Sequence, residues 1–96
     1  MAIEDFISER IYEDEQAAET MAPEVAERWL LECKAKRGIL LDWMTQRRRS
    51  EIDRTIPGPS PLVLQYLALP WSDHPDYLPV AWTPPEPGAV ELWGRR

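Results

Sequence analysis

The sequence predicts an all-α fold: a small domain of about three helices, two long and one short, with an extended segment rich in proline and tryptophan packed across them. Three observations carry this expectation. Apolar residues recur three or four positions apart through the first half of the chain. Helix-start signals stand at Pro23 and at Ser60-Pro61. The ten prolines crowd towards the C-terminal third, where they leave no room for another long helix. A chain of 96 residues, 44% hydrophobic and 29% charged, bounds one soluble globular domain. We place it at residues 1–83, with a proline-rich tail at 84–96.

The first helix is expected from Ile3 to about Met21, with Ile3, Phe6, Ile7, Ile11, Ala17, Ala18 and Met21 on a narrow apolar stripe. Glu4 and Asp5 suit the positive end of its dipole, but Glu19 near the other end does not, so packing must hold this helix. Pro23 disfavours helical geometry at Ala22 and opens a second helix, expected to run to about Arg48. Val25, Trp29, Cys33, Leu40 and Trp43 form one stripe on it, and Ala26, Leu30, Ile39 and Met44 lie beside them. Two adjoining stripes imply more than one neighbour. Gly38 within this helix costs about 1 kcal/mol relative to alanine, which marks a bend or a close approach by another backbone.

Ser60 is the expected N-cap of the third helix, with Pro61 at its first position. The run LVLQYLAL that follows is apolar nearly all round and calls for burial on most sides, until Pro70 stops it. Beyond it, Trp71, Tyr77 and Trp82 are expected to fold back as an aromatic clasp over the helices. PPEPGAVELWGRR, with Trp93, has the makeup of a tail or of a linear motif for a partner's groove.

Charge is unevenly spread around a net −6. Acidic residues dominate the first twenty positions, where Arg10 is the lone base, and Lys34, Lys36, Arg37, Arg47, Arg48 and Arg49 face only Asp42 between 34 and 49. Pairing of the two poles, within a chain or between copies, is their simplest use. The net charge disfavours direct nucleic-acid binding. No apolar run is long enough to span a membrane and no basic-then-apolar leader is present, so a cytoplasmic protein is expected. The single Cys33 excludes an intramolecular disulfide and lies on an apolar stripe, where a thiol acts as a small hydrophobe.

The chain's one histidine stands in SDHPDY. Asp73, His74 and Asp76 have the atoms for acid–base or metal chemistry. A capped turn explains more of the stretch: Ser72 or Asp73 caps, Pro75 opens the turn, Asp76 suits the dipole and Tyr77 packs inward. No phosphate loop, zinc-ligand spacing or nucleophile elbow occurs. The sequence therefore predicts no catalytic residue, cofactor or metal.

EDEQAA at 13–18, ECKAKRGIL at 32–40 and YLALPWSDHPDY at 66–77 together resemble a family of small proteins of unassigned function from actinobacteria and their bacteriophages. The resemblance spans most of residues 1–77. Gly38 departs from it, standing where a basic residue is common. The cysteine-bearing insertion of some members is missing, so the resemblance brings no zinc site. It implies a bacterial or phage-infected cytoplasm, and a phage origin would favour binding to a host protein.

The function expected is thus a small non-catalytic protein-binding module, possessed of a protein partner and able to self-associate into a homo-oligomer. Candidate interaction residues are Glu9, Glu13 and Glu15 on the acidic helix, Trp29, Leu40 and Trp43 on the second, and Trp93. The alternative is an acidic nucleic-acid mimic, in which the glutamates imitate phosphates.

Overall fold

A computed structural model of the chain describes residues 1–85. The described residues are all-α, with no strand: α1 (Ile3–Ala17), α2 (Pro23–Ile52), α3 (Pro61–Ala68) and a single-turn α4 (Pro79–Trp82). Short 3-10 turns follow α1 at Ala18–Thr20 and α3 at Leu69–Trp71. The expected fold class is observed.

Ala22 is extended, as Pro23 requires, and α2 starts behind it as a single helix of 30 residues. It is continuous through Gly38 and runs four residues past the expected end at Arg48. The last turns hold because Ser50 Oγ donates to the Arg47 carbonyl at 2.8 Å and Arg47 pairs with Glu51 one turn on. Asp53 then stops it, its carboxylate accepting from the Thr55 amide at 3.0 Å and the Thr55 hydroxyl at 2.7 Å.

Ser60 caps α3 as expected, accepting from the Leu62 amide at 3.2 Å. Its carbonyl takes the Trp43 indole N–H at 2.8 Å, which ties the start of α3 to the middle of α2. The expectation that α3 is buried nearly all round is corrected: Leu64 and Ala68 are buried, but Leu62, Val63, Tyr66 and Leu69 are exposed. An eight-residue helix laid on two others has only one covered side.

Phe6, Ile7 and Ile11 of α1 have no exposed surface and form the centre of the core with Cys33, Leu40, Trp43, Leu64 and Ala68. Tyr77 and Trp82 close it from the C-terminal side. Their rings stand 6.0 and 5.0 Å from the Phe6 ring, so the segment after α3 does fold back as an aromatic clasp. It is less extended than expected. Pro79 fixes the first residue of one helical turn, closed by the Trp82 amide on the Leu78 carbonyl at 2.8 Å. Pro84, placed by sequence in the tail, is buried against this body.

Candidate interaction surface

Arg10 is the charged residue the sequence reading passed over. It falls between Ile7 and Ile11 on the apolar stripe of α1 and is 5% exposed. One side of its guanidinium meets Glu13 at 3.0 Å and Glu9 at 3.4 Å. The other side, Nη1, contacts both ring nitrogens of His74, and the Phe6 ring lies 5.2 Å beneath. Arg10 Nε is buried with no partner among the described residues. A lone base on the apolar face of an acidic helix was the signal for this hub.

His74 Nδ1 also accepts the Asp76 amide N–H at 3.0 Å. The turn is therefore capped by the imidazole, not by Ser72 or Asp73 as expected, because Nδ1 reaches the amide two residues on as an Asx oxygen would. Backbone bonds from His74 to the Trp71 carbonyl (2.9 Å) and from Tyr77 to the His74 carbonyl (3.0 Å) complete the turn through Pro75. Its product is the inward placement of Tyr77. The ring edge of His74 rests on Phe6, with centroids 5.5 Å apart. A neutral imidazole has one ring lone pair, and that of His74, on Nδ1, is taken by the Asp76 amide N–H. Among the described residues no three His, Cys, Asp or Glu side chains are grouped to hold a metal ion.

The other candidates are placed as follows. Leu40 and Trp43, expected on an interaction surface, are buried in the chain's own core. That expectation is corrected: the stripe they form faces α1 and α3. Trp29 is half-buried, and its indole donates to the Asp14 carbonyl at 2.6 Å, joining α2 to the end of α1. Glu9 and Glu13 flank Arg10, and Glu15 takes Arg37 in a two-pronged pair at 2.8 and 3.2 Å. Glu4 pairs with Arg47. The acidic and basic poles thus meet within one chain. Trp93 lies outside the described residues.

Burial raises the Asp14 carboxyl above its ordinary 3.8, against the opposing pull of Lys36 and a hydrogen bond from Trp71. Burial likewise pushes the Cys33 thiol up, helped by the charges of Asp14 and Glu15. A thiol held protonated and 3% exposed is a packing group.

Among the described residues, the outer side of α3 stays open. Leu62, Val63, Tyr66 and Leu69 stand at i, i+1, i+4 and i+7, each 39–42% exposed. α3 carries no charged residue. Val63 also lines a shallow groove of about 320 Å³ running onto α2, with Gly38, Ile39, Trp43 and Pro59 among its walls. Tyr66 donates its hydroxyl to the Pro85 carbonyl at 3.3 Å, which marks one border of this surface.

The fold and this surface define a small helical protein fastened by an aromatic clasp, with an apolar face on α3. The chain belongs to a family of unknown function (DUF6221), whose profile matches residues 20–84. No curated protein and no solved structure matches it. The match begins after α1 and leaves out the acidic run at 13–15, where the sequence resemblance was expected to reach. Yet three of the four largest fully buried side chains, Phe6, Ile7 and Ile11, come from α1, so the matched region is not by itself the folded unit.

Proposed function

We propose that this chain is a non-catalytic protein-binding module that docks a partner protein on the outer face of α3 and the adjoining groove. The observation that carries the reading is the set of Leu62, Val63, Tyr66 and Leu69, adjacent, apolar and uncovered by the other described residues, on and just after a helix without charge. Grouped exposed apolar side chains of this kind are what protein interfaces cover. A tyrosine beside a groove is a residue type that anchors them. The use of the His74 Nδ1 lone pair in the turn and the burial of Cys33 support a role without catalysis. The specific form we favour is a phage-encoded modulator of a host protein in the bacterial cytoplasm, a reading that rests on the sequence resemblance.

The nucleic-acid mimic receives less support. Mimicry needs unpaired carboxylates in a row, and Glu9, Glu13 and Glu15 each lie against an arginine of the same chain.

The test uses Val63→Asp and Tyr66→Asp beside the wild type. A partner captured by the wild-type chain is purified and titrated against all three. Each substitution should weaken binding at least about tenfold, or 1.4 kcal/mol, while the melting temperature stays within a few degrees. Equal affinity in well-folded variants would reject the α3 face.

A further inference from the structure

Gly38 packs against no other side chain or backbone among the described residues. It sits mid-way along α2, opposite the buried Cys33 and Leu40 and at the rim of the groove beside α3, and a Cβ added there would meet nothing within 4 Å. It does not break the helix, which continues for fourteen residues to Ile52. Both sequence expectations for it, a bend and a close approach, are thus unmet by the described residues. A glycine at an exposed mid-helix position lowers helix stability and repays it only where another backbone comes close.

The residues sharing its face are arranged symmetrically about it. Counting along α2 at 100° per residue, positions four, seven and eleven away on either side return to within about 40° of Gly38. On the N-terminal side these are Lys34, Leu31 and Glu27; on the C-terminal side they are Asp42, Thr45 and Arg49. All are exposed. A second α2 laid antiparallel across the first, with Gly38 against Gly38, sets each residue opposite its mirror position. Glu27 then meets Arg49 and Lys34 meets Asp42, each twice, while Leu31 meets Thr45. Leu31, 61% exposed, and Leu41 at the border, 54% exposed, supply the apolar contact. Glu27, Lys34 and Arg49 make no ion pair among the described residues, in contrast to the arginines on the α1 side of the helix.

We infer that the outer face of α2 binds a second copy of this chain, antiparallel and two-fold symmetric about Gly38. Self-complementarity is what a two-fold interface demands: residue i must suit residue j and j must suit i. The pattern here meets that demand at both charged pairs and puts the one residue without a side chain at the crossing. This face meets the α3 surface at the groove, which Gly38 and Asp42 also line, but self-association is read out separately from partner binding. The strip from 27 to 49 is about 33 Å long, and at a helix width of about 10 Å it covers on the order of 700 Å² over both copies. Stable interfaces bury roughly 1,200–2,000 Å², so the dimer is weak and concentration-dependent.

Sedimentation equilibrium of the full chain from about 10 µM to 1 mM, at low and high salt, tests it. Wild type should pass from monomer to dimer in this range, and less so at high salt, which screens exposed pairs. Glu27→Arg and Arg49→Glu should each raise Kd at least about tenfold, because each sets like charges opposite one another twice. Mixing those two variants in equal amounts should restore dimer, now as a heterodimer with every pair complementary. Gly38→Gln should abolish the dimer while raising the melting temperature. A monomer throughout the range overturns the inference. So does a dimer indifferent to Gly38→Gln, or charge variants that fail to rescue each other.

Discussion

Replacing Phe6 tests whether the C-terminal clasp and α1 form one core. The Phe6 side chain has no exposed surface, and its ring meets those of His74, Tyr77 and Trp82 at centroid distances of 5.5, 6.0 and 5.0 Å. Truncation to alanine removes the transfer energy of the ring and leaves a cavity, together about 3–5 kcal/mol. Against a total stability of roughly 5–14 kcal/mol for a chain this size, that is a large share. It corresponds to a fall in melting temperature of roughly 12–40 °C. Phe6→Leu is the sharper probe. It keeps most of the volume, and a volume-conserving swap ordinarily costs less than about 1.5 kcal/mol. Loss of three aromatic pairs at about 0.5–1.5 kcal/mol each would reach or exceed that limit. Chemical denaturation followed by far-ultraviolet circular dichroism measures both variants. A cost for Phe6→Ala below about 1 kcal/mol would refute the packing described here. Phe6→Leu costing no more than a conservative swap would keep the core but refute a specific aromatic cluster. A double-mutant cycle with Trp82→Ala then isolates the clasp: contacting residues should couple by about 0.5–3 kcal/mol, whereas simple additivity would mean the two rings do not meet.

His74→Ala should lower stability by roughly 1–3 kcal/mol in thermal melts, because it removes the ring packed between Arg10 and Phe6 and uncaps the Asp76 amide; an unchanged melt would contradict a structural turn. Burial raises the Asp14 carboxyl above 3.8, so the folded chain keeps that proton to higher pH than the unfolded one. Its favourable contribution is therefore complete below 3.8 and lost as pH rises through the folded value. Asp14→Asn should accordingly flatten the decline in stability above 3.8, as read from urea unfolding at a series of pH values. A fragment of residues 20–96, which contains the whole family match, should show no cooperative unfolding, since it lacks Phe6, Ile7 and Ile11; a sharp melt would mean the core closes without α1.

The amino-acid sequence alone determined the helical class, the helix starts at Pro23 and Ser60-Pro61, and the return of the chain at SDHPDY. These depend on local physics: side-chain period, proline geometry and capping, all written within a few residues of where they act. It also indicated that the charge poles pair, since opposite charges on adjacent helices have few cheaper arrangements. The tertiary structure alone decided which stripe of a helix faces inward. Leu40 and Trp43 read as an available surface because both stripes of α2 are apolar, and only the positions of α1 and α3 tell the core stripe from the free one. The roles of Arg10 and His74 were hidden for the same reason: they lie 64 positions apart, and the contact between them exists only once the clasp crosses α1. Gly38 shows the limit from the other side. Its cost is visible in sequence, but that nothing among the described residues approaches it could be known only after the other helices had been placed.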